Sequence, residues 1–132
     1  MPDKPPVFVF GSNLAGRHGK GAALHAKLQY GAIYGQGRGY QGNSYAIPTK
    51  DGNLNVLPLK TVALEVDSFL RFAAARPMLN FYVTAVGCGL AGYNPEDIAP
   101  MFANAPGNVE LCLEFKGWLD RQVEKAYEQR ES

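Results

Sequence analysis

The residues best suited to chemistry form the segment GCGLAG at positions 87–92. It follows an apolar run, 80–86, that predicts a strand, and it precedes an amphipathic run that predicts a helix. Glycine lets a ligand approach main-chain N–H groups closely, and the N-terminus of a helix favours an anion. The segment therefore predicts a cradle for a phosphate or diphosphate, with Ala91 and Gly92 as its last two residues.

Two segments match the pattern G-x-G-x-x-G that is typical of dinucleotide-binding domains. The first, GRGYQG at 37–42, precedes a strand instead of a helix, so its context does not fit. The second, 87–92, has the right context, but one further strand follows it and a complete dinucleotide domain needs more. A phosphate cradle remains the preferred interpretation, and glycines that serve tight packing alone remain the alternative.

A second glycine-rich loop, GSNLAGRHGKG at 11–21, also joins a predicted strand to a predicted helix. Asn13 either bonds a ribose hydroxyl or braces the loop, and the loop glycines allow close passage beside a ligand. His18 and Lys20 are the nearest polar groups, and simple solvent exposure is the alternative for both. The predicted ligand-binding residues in this loop are Gly11, Asn13, His18, Gly19, Lys20 and Gly21.

Strands and helices alternate along the chain, which predicts an α/β fold. The segments 7–13, 43–50, 80–86 and 108–115 read as strands, and 19–31, 57–77, 94–102 and 116–130 read as helices. The helix at 57–77 is predicted from an apolar face at helical spacing, namely Val62, Val66, Phe69, Leu70 and Ala73, and the next helix from the cap Asn94 with Pro95 at its first position. Segment 31–42 is too rich in glycine for the interior of either. Helical crossovers favour parallel strands, so we expect one domain over residues 1–132, a three-layer α/β/α sandwich. The loops 11–21, 31–43 and 87–93 should then share one rim, at the carboxyl ends of the strands.

Composition excludes several functional classes. The 132 residues carry a net charge of +1, which gives no support for charge-driven binding along a nucleic-acid duplex. No stretch predicts a membrane span, and the N-terminus does not read as a signal peptide. Cys88 and Cys112 are expected to be reduced thiols of a cytoplasmic protein. His18 and His25 lack ligand partners at useful spacing, so neither a metal nor a cofactor is expected.

Three segments in order, FGSNLAGRHGKGAALHAKLQYG, YAIPTK and VGCGLAGYNPEDIAPMF, resemble a macrodomain. The resemblance is closest to the branch that contains the DNA ADP-ribosyl glycohydrolases and the terminal ADP-ribose protein glycohydrolases. In that branch a glycine-rich turn enters a helix, a later strand ends in Thr-Lys, and another strand ends in GCGL. The chain is also similar to a group of uncharacterised phage and bacterial proteins.

The resemblance implies a role for each matched residue. Gly19, Lys20 and Gly21 would line the loop under the distal ribose of ADP-ribose. Lys50 would be the catalytic lysine, because an amine in a partly dry pocket can lose its proton and attack, or assist attack at, the anomeric carbon. Backbone N–H groups would wrap the diphosphate, and the residues that carry them would be Gly87, Cys88, Gly89 and Leu90.

Two departures from the family pattern bear on mechanism and ligand recognition. The protein-directed enzymes have an aspartate after GCGL as the partner of the lysine, whereas this chain has Ala91, as the DNA-directed enzymes have a small residue. The strand that usually carries an adenine-reading aspartate is missing, and Asp3 is the only acid before the first predicted strand. Tyr34 or Tyr40 of the 31–42 segment could stack on a base instead, or could simply pack in the loop.

Three functions are therefore compared. The favoured one is binding of ADP-ribose or a related nucleotide with hydrolysis of an ADP-ribosyl linkage on DNA or protein. The second is a non-catalytic module that binds ADP-ribose, NAD or a related nucleotide, which Ala91 favours. The third is an interaction protein whose glycines are structural only.

Overall fold

A mixed sheet of five strands lies at the centre of the protein. The computed structural model describes residues 5–131, so Asp3 lies outside the described residues. The strands are β1 (Val7–Asn13), β2 (Gly39–Gln41), β3 (Ser44–Lys50), β4 (Phe81–Val83) and β5 (Val109–Leu111). The helices are α1 (Gly21–Gln29), α2 (Leu59–Ala74), α3 (Pro95–Ile98) and α4 (Leu113–Glu131), and a short 3-10 helix, Ala99–Phe102, follows α3.

The strand order in the sheet is β2-β3-β1-β4-β5. The pairs β1–β3, β1–β4 and β4–β5 are parallel, while β2 pairs antiparallel with β3 at one edge. Four parallel strands joined by helical crossovers confirm the α/β fold class. The central position of β1 brings its carboxyl end between those of β3 and β4, which decides where a site can form.

Alternation along β1 divides the interior into two cores. Val7 and Val9 face a large core that also receives the apolar sides of α2, the 3-10 helix and α4. Phe10 faces a second, smaller core in which Ala23 and Ala26 of α1 pack. Because successive side chains of a strand point to opposite faces, α1 covers one face of the sheet and α2 covers the other.

The helix patterns predicted for 57–77 and 94–102 are confirmed with shorter bounds. In α2, the predicted apolar face is buried at Val62, Val66, Phe69 and Ala73, and Leu70 packs partly buried against the same core. Helix α3 begins at Pro95, as predicted, and the N–H of Asn94 donates to Asp97 Oδ2 at 2.9 Å. This contact satisfies one of the donors that a helix N-terminus leaves free.

Two predictions about secondary structure are wrong. The segment 108–115 is a strand only as far as Leu111, and α4 begins at Leu113 instead of 116. Phe115, Trp118 and Leu119 pack on the core at helical spacing, so tertiary packing overrides the strand-like pattern. The segment 31–42 contains the edge strand β2, which a two-residue turn, 42–43, joins to β3.

The predicted helix at 19–31 is shorter than expected, since α1 begins at Gly21 and ends at Gln29. Among the helices of residues 5–131, none combines the length and apolar character needed to span a membrane.

Candidate functional site

A cavity of about 830 Å³ opens at the carboxyl ends of β3, β1 and β4. Its floor comes from Gly11–Asn13, from Thr49 and Lys50, and from the segment 84–91. The N-terminus of α1 and the first turn of α4 complete the wall. This location is the one predicted from the fold class, because ligand sites in parallel sheets collect where the strands end. Of the sequence-predicted site residues, it brings together Gly11, Asn13, Gly19, Lys20, Gly21, Lys50, Gly87, Cys88, Gly89, Leu90 and Ala91.

Asn13 holds the 11–21 loop in shape through its side-chain amide. Its Nδ2 donates to the carbonyl of Arg17 at 3.0 Å, and its Oδ1 accepts from the N–H of Arg17 at 2.9 Å. The pairing of β1 with β3 shifts register between Ser12 and Asn13, so the strand bends where it enters the loop. With its amide used in this way, Asn13 holds the loop, which was one of its two predicted roles.

The glycine-rich loop 31–43 supports the 11–21 loop and does not line the cavity. Gly37 packs so closely that a β-carbon on it would lie 2.1 Å from the carbonyl oxygen of Asn13. Gly16 adopts a φ of +70°, and a β-carbon there would lie 2.3 Å from Gly35. The 31–43 loop thus lies at the carboxyl end of β1, on the rim predicted for it, but its glycines let two loops pack backbone to backbone and none of its residues lines the cavity.

The loop 84–93, which contains the GCGLAG segment, is held mainly by hydrogen bonds within its own backbone. The N–H of Cys88 donates to Ala85 at 3.0 Å, and the N–H of Tyr93 donates to the carbonyl of Gly87 at 2.9 Å. The hydroxyl of Tyr93 also donates to the carbonyl of Leu57, before α2 begins. Gly87 has a φ of +79°, and a β-carbon there would meet Ile98 at 3.2 Å. The loop is thus fixed in shape independently of any ligand.

Two groups of backbone N–H donors at the cavity have no protein acceptor. None of the hydrogen bonds within residues 5–131 uses the N–H of Gly89, Leu90 or Ala91. The same holds for residues 21–23 at the start of α1, whose N-cap Lys20 makes no side-chain capping bond. Free N–H groups and the positive end of a helix dipole both favour a negatively charged ligand.

The charged side chains of the lining are mostly basic. Arg17, Lys20 and Lys50 line the cavity, together with one carboxylate, Glu114 in the first turn of α4. The net positive charge and the free N–H groups together suit an anion such as a diphosphate.

Cys88 lines the cavity half-buried, and Cys112 is buried in the core. Burial is the main cause that raises the pKa of the Cys88 thiol to about 11, and nearby acidic groups raise it further. The thiol is therefore neutral near pH 7 and a poor nucleophile. Because its backbone N–H is already bonded to the carbonyl of Ala85, the N–H contact to a diphosphate that the resemblance implies for Cys88 is not supported by this placement.

Four residues considered at the sequence level lie outside the cavity lining. His18 is fully buried against Phe10, and its Nε2 lies 3.0 Å from the carbonyl of Gln36, so it ties two loops together. Gly92 donates to the carbonyl of Gly89 and closes the turn. Tyr40 packs against Phe72, and Tyr34 lies under the ammonium of Lys27. The predicted ligand role of His18 is not supported by this placement.

The cavity lining includes side chains that were not predicted from the sequence, among them Arg17, Leu54 and Glu114. Arg17 lies inside the segment that was singled out, and its position before two loop glycines was a usable signal. Glu114 was assigned to a strand, so its place at a helix N-terminus was hidden. Leu54 lies in the turn after Lys50, where an apolar residue is unusual.

Residues 5–131 contain no group of three or more histidine, cysteine, aspartate or glutamate side chains placed to hold a metal ion.

Comparison with known proteins shows similarity of fold only. No protein-family model matches the chain, and no curated protein matches it. A solved structure of a protein of unknown function from Bacteroides thetaiotaomicron is 17% identical, with a TM-score of 0.57, over 83% of this chain and 89% of that one. An X-ray structure of a protein from the same organism is also 17% identical, with a TM-score of 0.53, over 84% and 92%. The fold of this chain thus occurs in solved structures of proteins from a bacterium.

Proposed function

We propose that the protein binds ADP-ribose or a related nucleotide and hydrolyses an ADP-ribosyl linkage on a macromolecule. One observation carries this proposal. Two sets of backbone N–H groups, those of residues 21–23 and those of residues 89–91, have no protein acceptor within residues 5–131 and lie at the same basic cavity. A volume of about 830 Å³ is large enough for a nucleotide-sized ligand, since small-molecule sites span roughly 300–1,000 Å³.

The diphosphate would lie against the backbone of 87–91, where the N–H groups of Gly89, Leu90 and Ala91 have no protein acceptor in the part of the chain that the structure describes. Gly19, Lys20 and Gly21 would lie under the distal ribose, as the resemblance to macrodomains implies. A β-carbon at Gly19 or Gly89 would meet no atom within 4 Å, so packing does not explain these two glycines, and room for a ligand does. Gly21 has a φ of +57°, a conformation that favours glycine with or without a ligand. Arg17 would offset the second phosphate charge.

Lys50 would carry the chemistry. It lies at the carboxyl end of β3 and lines the cavity beside Thr49. In one route the ammonium of Lys50 gives a proton to the leaving group, and Nζ bonds to the anomeric carbon as the bond to the macromolecule breaks. Water then displaces the amine and releases free ADP-ribose. In the other route the amine assists a water molecule that attacks the same carbon.

The proposal includes the fold family and the partner. Helix α1 on one face and α2 on the other make a three-layer α/β/α sandwich the natural description, and we propose that it is macrodomain-like. The partner would be ADP-ribosylated DNA or protein, in the cytoplasm.

A second function, binding without catalysis, is favoured by one observation. Ala91 lines the cavity where the protein-directed enzymes have an aspartate that partners the lysine. A module that reads ADP-ribose or NAD without turnover needs the N–H cradle but not that carboxylate.

The test compares wild type with Lys50→Ala on ADP-ribosylated DNA and on ADP-ribosylated protein. The proposal predicts that the variant loses at least about 100-fold in hydrolysis rate, the scale of a lost acid–base or nucleophilic group, and still binds ADP-ribose. Lys60→Ala is the matched control, because Lys60 is an exposed lysine of α2 that does not line the cavity. Full activity in Lys50→Ala contradicts the mechanism, and wild-type binding without turnover supports the second function.

A further inference from the structure

Leu54 has an unusual backbone conformation for its residue type. It is the one residue other than glycine with a positive φ within residues 5–131, at +65°. Leucine in this left-handed region brings its β-carbon close to the following carbonyl, a cost that glycine avoids and asparagine tolerates. The outlier lies in the lining of the cavity, and strained residues other than glycine concentrate at ligand sites.

The turn around Leu54 is fixed by Asp51. The carboxylate Oδ1 of Asp51 accepts from the N–H of Asn53 at 2.8 Å and of Asn55 at 3.0 Å. The N–H of Leu54 donates to the carbonyl of Asp51 at 3.1 Å. The backbones of Lys50 and Val56 form an isolated antiparallel β-bridge that closes the turn. In hairpin loops of this length glycine usually takes the left-handed position. Here Gly52 and two asparagines lie within two residues of it, and leucine occupies it instead.

A second exposed leucine lines the same cavity from another loop. Leu90 is 66% exposed and Leu54 is 45% exposed. The loop of Leu54 follows β3 and the loop of Leu90 follows β4, and these two strands flank β1 in the sheet. Two large apolar side chains therefore border a cavity whose charged side chains and free N–H groups suit an anion.

We infer that Leu54 and Leu90 hold a flat, uncharged ring of the bound ligand, namely a nucleobase. This inference rests on the proposed function, because the N–H cradle places a phosphate-bearing ligand in the cavity. A nucleotide is the class of ligand that joins a phosphate to a flat apolar ring. Burial of the leucine side chains against that ring removes apolar surface from water, and this gain offsets the conformational cost at Leu54.

The inference also accounts for a cavity lining that, among the described residues, contains no aromatic side chain on which a base could stack. Tyr34 and Tyr40 are engaged with Lys27 and Phe72, and neither lines the cavity. A base in this cavity has aliphatic side chains to pack against, and Leu54 and Leu90 are the large exposed ones.

The experiment measures binding of two probes by calorimetry: AMP, which has a ring and a phosphate, and ribose 5-phosphate, which lacks the ring. The variants are Leu54→Asn, Leu54→Gly and Leu90→Ala. Asparagine and glycine both accept the left-handed backbone, so the turn is preserved while the apolar side chain is lost. Leu64→Ala is the control, because Leu64 is 64% exposed on α2 and does not line the cavity.

We expect wild type to bind AMP at least about tenfold more tightly than ribose 5-phosphate, and each site variant to lose about fivefold for AMP alone. The control should change neither probe. The inference is overturned if wild type binds both probes equally, if AMP affinity survives in all three variants, or if both probes weaken together. Ring-dependent binding of AMP without binding or turnover of ADP-ribose would instead contradict the proposed function and leave the leucine subsite standing.

Discussion

Asn13 and Arg17 are joined by two hydrogen bonds between the side-chain amide of the first and the backbone of the second, at 3.0 and 2.9 Å. This pair sets the course of the loop that carries Lys20 to the cavity. Because Asn13 is buried, water cannot take over the hydrogen bonds of its side-chain Nδ2 and Oδ1 without disturbing the loop.

The first prediction concerns this brace. Replacing Asn13 by alanine leaves the N–H and carbonyl of Arg17 without their partner, so the free energy of unfolding should fall by about 1–3 kcal/mol. ADP-ribose affinity should fall as well, because the loop loses its fixed shape. Chemical denaturation and calorimetry measure the two effects. Asn104→Ala, at an exposed position outside the cavity, is the control and should change neither. An unchanged affinity in Asn13→Ala would show that the loop is not part of the site.

A second prediction concerns the glycines that let two loops pack backbone to backbone. Gly16→Ala combines a φ of +70° with a β-carbon 2.3 Å from Gly35, so it should destabilise the protein by at least about 2 kcal/mol. Gly52→Ala is the matched control, since its β-carbon would meet nothing within 4 Å. Thermal or urea unfolding gives the comparison. Equal stability of the two variants would mean that the loops are not packed as described.

A third prediction concerns stability at Leu54. Leu54→Asn relieves the left-handed strain and should raise the free energy of unfolding by about 0.5–1 kcal/mol, while Leu54→Val should lower it. The opposite signs distinguish backbone strain from loss of apolar surface, because valine keeps the apolar character. If both variants destabilise equally, the φ of Leu54 carries no strain.

The fourth prediction is a pH dependence. The pKa of Cys88 is raised to about 11, mainly by burial, from an ordinary value of 9.0. In the unfolded chain the thiol loses its proton near pH 9, and in the folded protein only near pH 11. Between these values the unfolded state binds fewer protons, so this contribution to stability is present below pH 9 and is lost as the pH rises to 11.

The same shift makes Cys88 slow to alkylate. Iodoacetamide labelling of the Cys88 peptide, followed by mass spectrometry, should rise with pH to a midpoint near 11 in folded protein, and near 9 in urea. A midpoint near 9 in the folded protein would contradict the burial of the thiol.

How far the sequence predicts this structure depends on the kind of signal. The apolar face of α2, with Val62, Val66 and Phe69 at helical spacing, and the proline at the start of α3 were enough to predict both helices. These are local signals with a fixed period. The edge strand β2 was missed because glycine hid it, although the Gly42-Asn43 turn before β3 is a hairpin signal.

The glycine loops show what composition leaves undetermined. Gly37 and Gly89 lie in similar-looking segments, yet the first is pressed against the backbone of Asn13 and the second has open space beside it. Only the three-dimensional arrangement separates the two uses. The sequence also does not predict that Glu114 lines the cavity, because its helix begins where the pattern predicts a strand.

The most direct test of the central claim, that the cavity binds ADP-ribose, is thermal unfolding of the wild-type protein with ADP-ribose, NAD, ADP, AMP and phosphate. At about 100 times its dissociation constant a ligand adds roughly 2.7 kcal/mol, which raises the midpoint by several degrees in a domain of this size. We predict the largest shift with ADP-ribose. No shift with any of the five would contradict the claim, and leave the N–H groups of 89–91 without a nucleotide to bind.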